Sequence, residues 1–158
     1  MRHLFFFAGS IAYYIVTPFA YLIQAFNRHF LSGFYLSKVK CKHFASCYVA
    51  TPIKSFIGKE FFLFGDHVVV GKYSTIEARY LLNNKPVLRM GNYVTIGSFC
   101  HITVVNEVTI GDNVLMGDYV TITDNSHGTV SSQDKDIPPA QRQVCSKGPI
   151  YIGNNVWI

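Results

Sequence analysis

The segment Ile110-Gly-Asp-Asn-Val-Leu-Met116-Gly-Asp-Tyr-Val-Thr-Ile122-Thr-Asp-Asn-Ser-His-Gly128 repeats itself every six residues. A bulky apolar residue stands at Ile110, Met116 and Ile122, and glycine follows the first two. Working outward, the same triplet recurs upstream at Phe64, Val70, Ile76 and at Met90, Ile96, Ile102, and a fourth opens at Ile152 and Ile158. Glycine follows the first two places of each complete triplet, at Gly65, Gly71, Gly91, Gly97, Gly111 and Gly117, and Gly153 repeats it. Seven of the twelve glycines thus share one register. Valine recurs four residues after the apolar position, at Val68, Val94, Val114, Val120 and Val156.

A helix repeats every 3.6 residues and a half-buried strand every two, so neither accounts for six. Repeats of this kind mark solenoids. Each hexad is expected to form one strand and one turn, and three hexads one coil of a triangular prism. The apolar residue points inward, and glycine is expected to allow tight backbone at the corner. The competing reading is an antiparallel sandwich with evenly spaced turns, which would not hold ten positions in one register.

The chain has 158 residues, 49% hydrophobic and 15% charged, a composition of folded rather than disordered protein. Its net charge of +5 is uneven. The first sixty residues carry Arg2, Arg28, Lys38, Lys40, Lys42, Lys54 and Lys59 against Glu60 alone, and the remainder is nearly neutral. A basic surface spread over the repeats, as nucleic-acid binding would require, is absent. Residues 4–26 carry no formal charge and are flanked by basic residues and Tyr13, Tyr14 and Tyr21. Residues 1–45 are therefore expected to be an apolar, basic segment that spans a membrane, lies on it, or packs as a helix on protein. Pro18 is expected to kink such a helix, and His3, Ser10, Thr17 and Gln24 would form a narrow polar stripe. Basic residues after the segment point to a cytoplasmic body, at the inner face of the membrane. Cys41, Cys47, Cys100 and Cys145 show neither a CxxC pair nor a disulfide spacing, in keeping with reduced thiols and no zinc site.

Two stretches, Ile110 to Asp124 and Ile152-Gly-Asn-Asn-Val-Trp-Ile158, together with the Thr123-Asp-Asn-Ser-His-Gly128 corner, resemble the hexapeptide-repeat acyltransferases. Within that superfamily they are most similar to the galactoside, maltose and polysaccharide O-acetyltransferases. The resemblance covers about residues 57–158 and implies an all-β solenoid, a left-handed parallel β-helix. It also implies a homotrimer with active sites between neighbours, acetyl-coenzyme A as donor, and no metal.

The resemblance assigns the general base to His127. Moving an acetyl group from a thioester to a hydroxyl requires a proton to leave the attacking oxygen, and histidine is suited to accept it near neutral pH. Asp124 and Asn125 are candidates to orient the ring. Ser98 and Asn106 stand where the sugar acetyltransferases carry asparagine and aspartate, His101 lies nearby, and Trp157 falls in the VWI motif. These four are the candidate acceptor-binding residues. Residues 128–149, with Pro138-Pro139, Arg142 and Cys145, form a polar excursion expected to cover a neighbouring subunit's pocket. A Cys145 nucleophile is disfavoured, since nothing flanks it to activate the thiol. The γ-type carbonic anhydrases share the coil but need two close histidines, whereas His67, His101 and His127 are far apart.

The expected activity is O-acetyl transfer to a sugar hydroxyl, of a cell-envelope polysaccharide or its lipid-linked precursor. The alternatives are a small soluble acceptor, serine or a free sugar, and a non-catalytic scaffold. Ile158 opens a hexad without its glycine, so the coil is expected to continue in a longer chain, where the family's coenzyme A groove is largely built.

Overall fold

The computed structural model describes residues 2–79, 87–129 and 134–158, with side chains from residue 10 onward except at 27. Residues 130–133 of the expected excursion and the His3 side chain of the polar stripe lie outside that set. Helix α1 (Arg2–Phe26) passes through one π-turn (Asn27–Leu31) into the short helix α2 (Ser32–Leu36). Pro18 sits inside α1 without ending it, and the Thr17 hydroxyl donates back to the Tyr13 carbonyl in the same turn.

The rest is a three-sided parallel β-solenoid, with α1 and α2 before it. One face stacks β1 (Lys40–Cys41), β4 (Phe62–Phe64), β7 (Leu88–Met90), β10 (Val108–Ile110) and β14 (Ile150–Ile152). A second stacks β2 (Tyr48–Val49), β5 (Val69–Val70) and β8 (Thr95–Ile96), continued by single bridges to Leu115 and Trp157. The third stacks β3 (Ser55–Ile57), β6 (Thr75–Ala78), β9 (His101–Val104) and β11 (Thr121–Thr123). Every pairing within these faces is parallel. The hexad residues stack in columns: Phe64, Met90, Ile110 and Ile152 on the first face, and Ile76, Ile102 and Ile122 on the third. All nine residues of the complete triplets are buried. Each buried side chain of this size contributes about 1.5–3 kcal/mol.

The solenoid starts earlier than the six-residue period indicates. Cys41, Val49 and Phe56 pair with Phe64, Val70 and Ile76, so residues 40–57 form a further coil. Its inward positions lie eight and seven apart instead of six, and no glycine follows them, which hides it from a period search. Helix α2 closes the open end of this coil. Leu36 is buried against it, and Tyr35, Phe56 and Phe62 form a chain of edge-to-face rings. The Ser32 hydroxyl accepts the Val49 N–H at 2.9 Å, satisfying an edge strand that would otherwise face solvent.

The corner glycines serve a purpose other than the one the sequence suggests. The left-handed backbone falls two residues later, on His67, Tyr73, Tyr93, Phe99, Asn113, Tyr119 and Asn155. The glycines have no such φ; Gly65, Gly71, Gly91, Gly97 and Gly111 lie directly under the next coil. A Cβ on Gly65 would stand 2.6 Å from the Gly91 carbonyl oxygen, and one on Gly97 would strike Gly117. Stacking of backbone on backbone requires glycine here, not conformational freedom.

The first two corners are also laddered. At the first, Asn92, Asp112 and Asn154 accept through Oδ1 the N–H of the residue one coil below, Asp66, Asn92 and Asp112, at 3.0, 2.6 and 2.8 Å. At the second, Asp118 accepts the Ser98 N–H at 2.7 Å, and Tyr73, Phe99 and Tyr119 stack with centroids 5.0 and 4.9 Å apart.

Candidate functional site

The third corner breaks the repetition, and the sequence-predicted residues gather there only in part. After β11 the chain turns outward into β12 (Asn125–His127), which pairs antiparallel with β13 (Val144–Ser146). The polar excursion expected at 128–149 is therefore a two-stranded ribbon at its base, not a free loop. Gly128 N–H donates to the Gln143 carbonyl at 2.8 Å, and Arg142 Nε donates to the Ile137 carbonyl at 2.8 Å. Gly128 itself has φ +83°, a left-handed turn where glycine is needed.

His127 lies at the end of β12, exposed, opposite Val144 in the ribbon. Its imidazole has no hydrogen-bond partner among the described residues. The side chains of Asp124 and Asn125, the candidate orienters, are engaged elsewhere. Asp124 is only 6% exposed, and its two oxygens accept the N–H groups of Val105, Asn106 and Glu107 at 2.9, 2.7 and 2.8 Å. It caps the tight turn at which the Met90–Ile102 coil passes into the Ile110–Ile122 coil. Asn125 Nδ2 donates to the Thr103 carbonyl at 3.2 Å and to Asp124 Oδ1 at 3.2 Å. Both residues fix the ribbon's root, and through the backbone they fix where His127 stands.

Among the acceptor-binding candidates, Asn106 joins this corner through its backbone N–H on Asp124. His101 projects, exposed, from the third face, in register with Thr75 below and Thr121 above. Beside that column run Glu77, Thr103 and Thr123, whose hydroxyls bond at 2.9 Å. Burial opposes ionisation of Glu77, but hydrogen bonds from Ser55 and Arg79 and the charges of Arg79 and His101 together hold its carboxyl below the usual range. The Arg79 Nε–Glu77 Oε2 contact is 2.7 Å. Ser98 belongs to the second corner, next to Phe99 and Tyr119, and Trp157 to the second face, 82% exposed above Leu115. The structure thus places His101 and Asn106 on the side of His127, and Ser98 and Trp157 elsewhere on the prism.

An open cleft of about 720 Å³ runs beside the ribbon, lined by Ser126, Thr129, Cys145, Ser146 and Lys147 among others. His127 does not line it. Strand alternation sends Ser126 to one side of the ribbon and His127 to the other. The sequence reading did not single out Ser126 or Lys147, since only the antiparallel pairing of β12 with β13 brings them together. Cys145 donates to the Gly128 carbonyl at 3.0 Å and lies 3.4 Å from Ser126 Oγ, an engaged thiol.

The other thiols are structural. Burial pushes the Cys100 thiol up, and it donates to the Gly117 carbonyl at 3.2 Å. Cys47 donates to the Gly65 carbonyl at 3.3 Å; the neighbouring Cys47 and burial push the Cys41 thiol up, and the neighbouring Cys41 pulls the Cys47 thiol down. Among the described residues, no group of three or more His, Cys, Asp or Glu side chains could hold a metal ion, and no helix is long and apolar enough to cross a membrane.

No family model, curated protein or solved structure matches this chain. The class defined by the fold is a parallel β-solenoid with an N-terminal helical segment.

Proposed function

We propose that this protein is an acetyl-coenzyme A-dependent O-acetyltransferase with His127 as general base, acting on a sugar hydroxyl of a cell-envelope polysaccharide or its precursor. The observation that carries the reading is the position of His127. An exposed imidazole, free of hydrogen-bond partners among the described residues, stands where the chain leaves a three-sided parallel solenoid. The Thr123-Asp-Asn-Ser-His-Gly128 motif around it is similar to that of the sugar O-acetyltransferases.

In the proposed reaction the imidazole takes the proton of the acceptor hydroxyl as that oxygen attacks the thioester carbonyl. The C–S bond then breaks, and the thiol of coenzyme A leaves with the proton. Positioning supplies the entropic part of the rate. None of the clefts lined by the described residues encloses His127, and the resemblance implies a site completed by a neighbouring copy in a trimer. The outward hydroxyls of Thr103, Thr121 and Thr123, with His101, make the adjoining third face hydrogen-bonding, as a polyhydroxylated acceptor would need.

The test is thiol release from acetyl-coenzyme A, followed with a disulfide reagent, against glycans, free sugars and serine. A positioned general base is worth roughly 10²–10⁴-fold, so His127→Ala should lose that much while the circular dichroism spectrum stays unchanged. Activity on serine or free sugars alone would reassign the acceptor. An unimpaired His127→Ala variant, or no thiol release with any acceptor, would overturn the reading and leave a scaffold.

A further inference from the structure

The N-terminal region combines two features that the solenoid does not use. From Ile11 to Phe26, α1 is exposed on all sides apart from the half-buried Thr17. Tyr14, Phe19 and Leu22 are 76%, 64% and 67% exposed although they point in different directions around the helix. Nothing in the solenoid covers them, since α1 touches mainly the π-turn that follows it. At the base of this helix lies a cleft of about 530 Å³, lined chiefly by Tyr21, Gln24, Arg28, His29, Tyr48 and Lys72.

The cleft is cationic and uncompensated. Arg28 lies over the Tyr48 ring, 5.4 Å from its centroid, which holds the guanidinium without neutralising it. Neither Arg28 nor Lys72 has an acidic partner among the described residues; the four ion pairs there involve Lys42, His43, Arg79 and Arg89. No acid occurs before Glu60, so the helix, its base and the neighbouring Lys38, Lys40 and Lys54 share one sign of charge. A second copy of this end would bring like charges together. An anionic surface with an apolar interior is complementary to both features at once.

We propose that α1 and the cleft at its base dock the protein on an anionic phospholipid bilayer. The apolar helix lies at the level of the headgroups and upper acyl chains, and a lipid phosphate seats among Arg28, His29 and Lys72. Guanidinium and ammonium donors suit phosphate oxygens. Tyr21 and Tyr48 have the apolar body and polar tip typical of the interface. The α1 length of 25 residues corresponds to about 37 Å, enough to lie along the surface with its end at the cleft. This inference stands apart from the chemistry proposed at His127, and its test does not read activity.

The full chain is mixed with phosphatidylcholine vesicles, with or without one third phosphatidylglycerol, and separated by flotation. Each basic residue near an anionic surface is worth about fivefold in affinity, so Arg28→Gln/Lys72→Gln should weaken binding to the anionic vesicles about 25-fold. Arg28→Lys/Lys72→Arg should restore it. Phe19→Ser/Leu22→Ser, at exposed positions whose change leaves the solenoid intact, should abolish flotation with either vesicle. Raising salt should weaken only the anionic component. Equal binding to neutral and anionic vesicles, or binding unaffected by the double glutamine variant, would overturn the cleft assignment. Displacement by millimolar inorganic phosphate would make it a site for free phosphate instead. A stable oligomer lost in Phe19→Ser/Leu22→Ser, with no flotation, would assign the helix to a second copy and refute the membrane reading.

Discussion

Gly65 and Gly153 occupy the same place in the hexad, and within residues 1–158 only Gly65 has a coil stacked on it. If these glycines were required for backbone conformation, alanine would harm both alike. The structure separates them. A Cβ on Gly65 would stand 2.6 Å from the Gly91 oxygen, 2.7 Å from the Gly91 carbonyl carbon and 2.8 Å from Asn92 Oδ1, whereas one on Gly153 would meet nothing within 4 Å. Ordinary carbon contacts begin near 3.5 Å, so the Gly65→Ala methyl must retreat by about 0.8 Å. The obstacle is backbone, tied down by the Gly65 N–H to Met90 carbonyl bond of 2.8 Å, and no side-chain rotation relieves it. Overpacking of this kind costs about 1–3 kcal/mol, and alanine in place of glycine returns about 0.4–1 kcal/mol through the unfolded chain. The net expectation for Gly65→Ala is a loss of about 1–2 kcal/mol, a fall in Tm of roughly 2–8 °C for a chain of this size. In a chain of residues 1–158, Gly153→Ala should leave Tm unchanged or raise it slightly. Thermal unfolding followed by circular dichroism of the two variants in parallel is the assay. Equal losses, or a stable Gly65→Ala, would refute the stacking explanation.

Three further outcomes follow from particular contacts. Asp124→Ala leaves the N–H groups of Val105, Asn106 and Glu107 without their acceptor and should destabilise by about 1–3 kcal/mol in urea titration, while His127→Ala should stay within about 0.5 kcal/mol; equal stability of the two would sink the capping role. Thiolate absorbance at 240 nm should show the Cys47 thiol titrating below the ordinary thiol range, and Cys41→Ala should move it up by removing the neighbour that lowers it; a titration indifferent to Cys41 would count against the pair. Burial opposes ionisation of Asp66, yet the hydrogen bond and charge of His43 at 2.6 Å and the ammonium of Lys42 at 3.4 Å hold its carboxyl below the usual range. Its contribution to stability is therefore present above the ordinary carboxylate pKa and lost as pH falls through the lowered one. Asp66→Asn should flatten the acid limb of the urea midpoint plotted against pH, and a curve that is unchanged would refute the assignment.

The columns of the solenoid were legible because an inward residue at each rung is a local requirement repeated at fixed spacing. Phe64, Met90 and Ile110 announce themselves as one face without any knowledge of their partners. The first coil was not legible, because Cys41, Val49 and Phe56 keep the same inward direction with irregular spacing and no glycine. The glycine column is visible in the sequence but its cause is not, since a clash between coils is a relation of residues twenty or more apart in sequence. Around the site the same limit applies. His127 could be picked from its motif, but Asp124 reads as its companion when its side chain bonds to residues 105–107. Ser126 and Cys145 become neighbours only through a ribbon whose two strands are separated by a long insertion.

That insertion leaves from the third corner, and the ladders explain why. At the first corner each Asx side chain bonds the backbone one coil below, and at the second the rings of Tyr73, Phe99 and Tyr119 stack face to face. An extra residue at either corner would break bonds or stacks in two coils at once. Among the described residues the third corner has no such continuous column. Its turn at 105–107 is held instead by a single buried carboxylate, Asp124, supplied by the next coil immediately before the chain departs. The coil is thus closed behind the insertion by the same residue that begins it, so the ribbon carrying His127 can vary in length without disturbing the columns beneath. A solenoid that is repetitive at two corners and free at the third presents non-repeating chemistry along one edge. That edge is where His127 stands, far along the chain from the cationic cleft and apolar helix at the N-terminal end.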